Sequence, residues 1–451
     1  MKKIISFLLT AVISFSAFSQ LLKENIYEVG GNNYLGDMIR TADNNILLCA
    51  YDSSQILMIK TDFTGEVIWQ KAYDWEGVKR INQISENGNG EFVVGGKYLH
   101  YGLLYKINNT GDTLWRKLIE NTPDLPLEIT TVNCLSDGNV LISVMHDYSN
   151  YNNPPVSGFS IYDGSGEFIY SVGNFDGRIE QAEIISDSSF LFAGSQWLSP
   201  SAGTSLVIKT FSGNSIDYEV FNSFYSNSFD IDEAGNIYLT VNAVSDLLKT
   251  NDIHSIAWET TIFPNKYKYM NQLQLSDDMI YTSGGLVESP GSQENIKLFL
   301  LTMDLSGQNS KYIIDSTYFN QIGKKLIVKD DEIIVAGNVK TDIDSQYDVF
   351  LNVYSADSLL ISVESKKINL DKTLLVYPNP AKNAVRFNSP LLPKQTNSML
   401  EIHDIHGKRV ASLPISSTLI TWDTSRIPNG IYFYKTVLDG EVVSGKIIIR
   451  K

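Results

Sequence analysis

The chain has 451 residues, 43% of them apolar, and 36 basic against 51 acidic side chains leave a formal net charge of −15. That apolar share supplies one or more cores and excludes a disordered chain, and at about 150 residues per domain the length suggests three domains. The acidic balance argues against a nucleic-acid partner, since phosphate backbones carry the same sign, and two cysteines cannot staple a disulfide-dense scaffold.

In chain order, Lys2 and Lys3 come first, followed by an apolar run from Ile4 to Phe18 and by Ala17-Phe18-Ser19 ahead of Gln20. This layout predicts a secretory signal peptide over 1–19, with small residues at the positions that a signal peptidase reads. The run is shorter than the ~20 residues of a membrane span. No later segment approaches one, so no transmembrane segment is expected.

A repeat follows. A turn rich in Asp, Asn and Gly precedes four or five β-branched or aromatic residues, which end on small ones. The copies start at Ile46, Phe92, Val140, Phe190, Ile237, Ile280 and Ile333, a mean spacing of about 48 residues, close to the period of propeller blades. Each unit also carries an alternating stretch before this segment (Ile81-Asn-Gln-Ile), an apolar one after it (Ile56-Leu-Met-Ile-Lys), a turn with Gly (Gly65, Gly111, Gly166, Gly213, Gly307) and a last strand such as Val67-Ile-Trp-Gln-Lys. Trp69, Trp115 and Trp258 hold corresponding places. Four strands per unit and seven units predict an all-β fold, a seven-bladed β-propeller over 20–364. Two segments compete for the last outer strand, one near Leu21–Val29 and one at Ser358–Val363. The N-terminal one is expected to close the ring.

The units resemble the degenerate repeats of exported Bacteroidetes proteins. Through Thr-Gly-x-x-x-Trp at 64–69 and 110–115 they also resemble pyrroloquinoline-quinone-type propeller repeats. They are not the sialidase Asp-box, because Asp62 and Gly65 stand three apart and Trp69 four further on.

The pattern changes near residue 365. A polar linker is expected over 365–373, and then about seven short strands over 374–451, the size of a small Ig-like β-sandwich. Tyr377-Pro378-Asn379-Pro380-Ala381, Asp404-x-x-Gly407-Lys408, Gly430-x-Tyr432 and the basic end at Arg450-Lys451 follow in order. Together these closely resemble the type A C-terminal sorting domain of the type IX secretion system. The resemblance implies Sec export, passage through the outer membrane, removal of the domain by the sorting protease, and a mature protein held on the surface or released. The secretion machinery and that protease are the partners it implies.

Chemistry-bearing motifs are sparse. There is no His-Glu-x-x-His, no cysteine pair at zinc spacing, no Gly-x-Ser-x-Gly and no phosphate-cradling loop. No catalytic residue and no cofactor is therefore assigned. Cys49 and Cys134 fall in non-adjacent units and are expected as free thiols. Asp342-x-Asp344-x-Gln346-x-Asp348 alternates oxygen ligands and is the best calcium candidate, whereas Asp230-x-Asp232-x-x-Gly235 begins like an EF-hand loop but lacks the later oxygens. Three triplets, at Asp112, Asp315 and Asp357, resemble the Bacteroidetes O-glycosylation signal.

Up-and-down strands place the second-to-third and the interblade connections on one face. The loops of uneven length gather there: 147–156, 196–205, 286–297 and 340–348. Tyr148, Tyr151 and Trp197 offer aromatic faces beside amide side chains, a mixture suited to glycan or protein contact. The sequence thus predicts an exported surface or secreted propeller that binds glycan, protein or matrix. The alternative is a polysaccharide hydrolase or lyase with carboxylates at the channel mouth, which clustered, pKa-shifted carboxylates in a deep channel would favour.

Residues 20–369 carry 23 basic and 45 acidic side chains, whereas 371–451 carry 11 and 6. The propeller is therefore more acidic than the whole chain.

Overall fold

The computed structural model describes residues 21–27, 31–74, 77–120, 126–146, 156–198, 201–222, 226–241, 246–251, 256–263, 267–287, 295–356, 375–377, 381–388, 399–415, 419–438 and 441–450. The expected leader, the expected linker and the competing strand at 358–363 lie outside these.

Seven four-stranded antiparallel sheets follow one another along the chain. The first blade is Tyr34–Arg40, Ile46–Tyr51, Gln55–Thr61 and Val67–Asp74, and the second is Val78–Glu86, Phe92–Tyr98, Tyr101–Ile107 and Thr113–Ile119. Five more blades begin at Leu127, Gly177, Phe229, Tyr267 and Asn320. Second strands are buried along both faces, as Ile46–Tyr51 shows, so they read as continuous apolar runs. Fourth strands alternate, as in Val67–Asp74, because only one of their faces meets a neighbouring blade.

The last blade contains Asn320–Lys329, Glu332–Lys340 and Asp348–Ser355, and its outer strand is Leu21–Tyr27, paired antiparallel to Asp348–Ser355. The N-terminal segment thus closes the ring, as expected. Tyr27 donates its hydroxyl to Gly65 O at 3.0 Å and Asn25 its amide to Thr64 O at 2.9 Å, so the strand also grips the first blade.

Each junction between consecutive blades has its own apolar cluster. Leu47, Ile56 and Met58 of the first blade pack with Ile81, Val94 and Leu103 of the second. Leu48, Leu57 and Ile59 pack with Ile334, Ala336 and Leu351 of the seventh. Second and third strands present opposite residues to the two neighbours, so a one-residue slip in any blade would break two junctions.

The outer edge repeats a clasp. Trp69, Trp115 and Trp258 each donate their indole N–H to a carbonyl in the next blade's third-to-fourth turn: Asn109 O at 3.1 Å, Gly164 O at 3.0 Å and Leu305 O at 3.2 Å. A Cβ added at Gly111 would lie 3.0 Å from the Trp69 ring, and Gly111 has φ +80°. That glycine supplies both the left-handed turn and the flat seat for the indole.

At the C-terminus, Leu375–Tyr377, Ala384–Asn388 and Leu419–Asp423 form one sheet; Met399–Asp404, Arg409–Pro414, Gly430–Leu438 and Glu441–Ile449 form a second. Val385, Phe387 and Trp422 of the first pack on Leu400, Ile402, Tyr434 and Ile447 of the second. This is a two-sheet sandwich of seven strands among the described residues. Ala381 bridges in parallel to Ile449, adding the segment after the Pro378–Pro380 stretch to the last strand.

Candidate functional site

The first strand of each blade lines the central channel, and it carries a β-bulge in six of the seven. The register shifts at Gly36, Asn82, Thr130, Glu180, Asn271 and Lys324. A bulge re-aims one side chain out of the pleat, here into the channel. Asn82, Asn271 and Lys324 each donate to the carbonyl just before the next blade's bulge: Ile129 O at 2.7 Å, Gly323 O at 2.7 Å and Leu35 O at 2.9 Å. Asn227 holds the matching place in the fifth blade and donates to Met270 O at 3.0 Å.

In four blades the residue after the bulge serves a second tier. Asp37 accepts from Ile84 N at 2.8 Å, Gln83 from Val132 N at 2.9 Å, Gln181 from Phe229 N at 3.0 Å and Gln272 from Leu326 N at 2.8 Å. Many polar channel residues are therefore stitches between innermost strands, where the backbone would otherwise lack partners.

The loop-bearing mouth departs from this pattern. Arg80, Glu128 and Arg178 occupy one position, two residues before the bulge, in consecutive blades. Glu128, almost fully buried, faces Arg80 at 3.5 Å and Arg178 at 3.4 Å and accepts from Asn82 at 2.8 Å. Arg178 also meets Glu180 at 3.2 Å. On the far side Lys325 pairs with Asp37 at 2.7 Å. Lys324 has no carboxylate within ion-pair distance among the described residues. Burial, with Arg80 and Lys325 nearby, pushes its pKa down to about 8.

Three tyrosines complete this level, with Tyr34 holding in the first blade the position of Arg80, Glu128 and Arg178. The Tyr34 ring lies 6.0 Å from Tyr51 and 5.6 Å from Tyr347, centroid to centroid. The second-to-third loop of the seventh blade is tied down there, with Tyr347 N donating to Asn32 Oδ1 at 3.0 Å and Asn33 N to Tyr347 O at 2.8 Å. Asn320 donates to the Tyr347 hydroxyl at 3.0 Å.

Deeper in the channel, Glu183 is raised to about 7 by burial first and by neighbouring Asp230 second. Burial also raises Asp230, against the N–H groups of Leu275 and Ile231 that it accepts from. At the opposite, turn-bearing mouth, a recess of about 600 Å³ lies between the first two blades, lined by Arg40, Thr41, Asn44, Ile84, Ser85 and Glu86. Its polar groups are already engaged. Glu86 accepts from Ala42 N at 2.6 Å, and Arg40 donates to Asn44 at 2.8 Å.

Of the residues singled out from sequence, Tyr148 and Tyr151 lie outside the described residues. The segment 196–205 was expected as a loop and is largely strand. Ser189–Leu198 and Ser201–Thr210 pair in register down to Leu198 opposite Ser201, with Trp197 opposite Ala202. Its serines and glycine read as loop by composition, yet backbone pairing does not require apolar side chains. Asp342 accepts from Asp344 N at 2.9 Å and Ser345 N at 2.8 Å, so its carboxylate caps its own turn. Asp348 begins a strand. Among the described residues no three His, Cys, Asp or Glu side chains gather as a metal site. Asp232 likewise caps its own turn through Ala234 N and Asn236 N, while Asp230 points to Leu275. Cys49 and Cys134 are free thiols.

Tyr34, Tyr51, Tyr347, Arg80, Arg178 and Lys324 were not singled out from sequence. Arg80, Arg178 and Lys324 carry a signal in the repeat, as charged residues on innermost strands, whereas the three tyrosines, on a first strand, a second strand and a loop, carry none.

The sorting motifs are ordered by their own contacts. Asp404 accepts from His406 N and Lys408 N, both at 2.9 Å, around Gly407 with φ +78°. Tyr432 donates to Pro428 O at 2.9 Å and packs edge-on against Trp422. Pro378, Asn379, Pro380 and Lys451 lie outside the described residues.

Residues 375–450 match the family described as the secretion system C-terminal sorting domain. The chain is thus an exported β-propeller carrying a type IX sorting tail, directed to the cell surface or the extracellular space. No helix among the described residues is long and apolar enough to cross a membrane. Comparison with curated proteins finds no match. Among solved structures, the chain is similar to a protein of unknown function from Bacteroides caccae, with 14% identity, 65% of this chain and 97% of that one covered, and a TM-score of 0.42. It is also similar to YCF48 bound to a D1 peptide (12%, 74% and 94%, 0.47) and to the polysaccharide lyase Uly1 (12%, 71% and 90%, 0.40). Likenesses at this level carry no argument about ligand or chemistry.

Proposed function

We infer that this protein is an exported surface binding protein whose propeller takes a saccharide at the loop-bearing mouth of its channel. The observation that carries the reading is the packed trio Tyr34, Tyr51 and Tyr347 at the mouth, with arginine at their level and a floor of lysine and amide groups on the bulges beneath. Aromatic faces cover the apolar face of a sugar ring, and fixed donors recognise its hydroxyls. The ring of stitched bulges beneath holds this floor rigid, so little ordering cost accompanies binding. The sorting tail places such a site outside the cell, where polysaccharides are met.

A second reading, hydrolysis or elimination on a polysaccharide, draws on the carboxylates in the channel. Burial raises Glu180 and Asp230 and takes Glu183 to about 7. A carboxyl group tuned to that range suits a general acid. Against it, Glu180 is paired to Arg178, Asp230 accepts two backbone N–H groups, and Gln181 donates to Glu183 at 2.5 Å. Binding is the stronger reading.

A glycan array probed with the full secreted chain, beside Tyr34→Ala and Tyr347→Ala, tests it. Glycan capture that falls at least tenfold in both variants is expected. Capture unaffected by either, or none by the wild type, would sink it. Turnover of a captured glycan that Glu183→Gln abolishes would favour the second reading.

A further inference from the structure

Among the described residues the mouth holds one cation more than its ion pairs neutralise. Arg80 and Arg178 share Glu128, Arg178 adds Glu180, and Lys325 holds Asp37. Both oxygens of Asp37 are engaged, one by Lys325 and the other by Ile84 N. Lys324 is left with a backbone carbonyl, Leu35 O. Half-buried positive charge without a counter-ion is costly, and it is unexpected in a propeller whose residues carry 23 basic and 45 acidic side chains over 20–369.

The place of this charge is specific. Lys324 reaches from the seventh blade to Leu35 O on the first strand of the first blade, and Arg80 stands on the second blade on the other side. Between them the bulge residue is Gly36, the one member of the bulge series without a side chain. Its Cβ would lie 2.7 Å from Ile81 O, so the close approach of the second blade excludes a larger residue. The bulge ring therefore carries no side chain between the two cations, and the tyrosine trio rises above that position. The neighbouring charges are Lys325, paired with Asp37, and Glu128, paired with Arg80.

We propose that the position over Gly36, between the Lys324 ammonium and the Arg80 guanidinium, is an anion subsite that takes the carboxylate or sulfate group of an acidic saccharide whose ring lies against Tyr34 and Tyr347. A guanidinium offers paired N–H donors to two oxygens of a planar or tetrahedral anion, and an ammonium adds a point charge. This proposal rests on the reading that the mouth binds saccharide, and it names the class of saccharide.

The test is titration of the full secreted chain with polygalacturonate, dextran sulfate and neutral dextran of matched length, repeated with Lys324→Met, Lys324→Arg, Arg80→Gln and Tyr347→Ala. Expected is binding of one or both acidic polymers that weakens at least tenfold in Lys324→Met and Arg80→Gln and is largely kept in Lys324→Arg. It also weakens as salt rises and as pH climbs through about 8, where Lys324 loses its proton. Preference between the two acidic polymers assigns carboxylate or sulfate. Equal binding of neutral and acidic polymers, lost in Tyr347→Ala but unchanged in Lys324→Met, would overturn the anion subsite and leave the saccharide reading standing. Acidic-polymer binding indifferent to Tyr347, Lys324 and Arg80 alike would overturn both. Lys324→Arg, with a melting temperature near wild type, separates loss of the subsite from loss of the fold.

Discussion

The outer and inner edges of the blades use the repeat in opposite ways. At the outer edge one device recurs, an indole from one blade seated on the turn glycine of the next. At the inner edge the backbone device recurs as a bulge in six blades, but the side chain on it changes from blade to blade: Gly36, Asn82, Thr130, Glu180, Asn271 and Lys324, with Asn227 in the matching place of the fifth. Sameness at the rim serves the scaffold, because each junction solves the same packing problem. Variation at the channel breaks the symmetry, and the charged departures fall together at the mouth beneath the tyrosines. A repeat protein thus advertises its site where the repeat fails at a position that the backbone conserves.

The largest effect should come from removing the closure. Deleting residues 20–29 exposes the edge of Asp348–Ser355 and removes Tyr27 and Asn25 from the first blade's turn. A fall of about 10 °C or more in melting temperature, or failure to fold, is expected by calorimetry. An unchanged transition would show that the ring does not depend on this strand. Next comes the rim. Trp69→Ala loses a partly buried ring and its bond to Asn109 O, a loss of about 2–3 kcal/mol, which denaturant titration would register as a lower midpoint.

The channel should answer differently. Lys324→Met should change stability at pH 7 little, because it removes a cation with no counter-ion among the described residues together with its bond to Leu35 O. The sign follows from protonation. Between pH 8 and 10.5 the unfolded lysine holds its proton and the folded one has released it, so wild-type stability gains with rising pH across that window. The variant should lose that gain. Marked destabilisation at pH 7 would show that the stitch to Leu35 O outweighs the cost of the buried charge. Smallest is Glu183→Gln. The folded carboxyl stays protonated up to about 7, while the unfolded one ionises near its ordinary 4.5, so wild-type stability falls as pH rises between them. Melting curves of the glutamine variant should be flatter there, by a few degrees at most.

Much of the fold was legible because blade packing demands a fixed pattern. Buried second strands such as Phe92-Val-Val-Gly-Gly must be apolar on both faces, the turn glycines must reach positive φ, and Trp69, Trp115 and Trp258 must meet them. The sorting tail was legible because Asp404, Gly407 and Tyr432 shape local turns and contacts that need those residue types. The mouth was not legible as a site. Tyr34, Tyr51 and Tyr347 come from three separate strands or loops, and nothing in the local sequence says that ring closure brings the seventh blade beside the first. The bulges hid the inner ring further, since an extra residue breaks the period of two that would show which side chains face the channel. Composition misled at 196–205, where a polar segment pairs as strand.

The proposed subsite holds the acidic group of a saccharide over Gly36, and a crystal structure of the secreted chain with a short polygalacturonate fragment would show it. Expected is a carboxylate within hydrogen-bond distance of both the Lys324 Nζ and the Arg80 guanidinium, with the sugar ring against Tyr34 or Tyr347. A fragment bound instead in the recess at the opposite mouth, beside Thr41, Ile84 and Glu86, or on the outer rim, would contradict it.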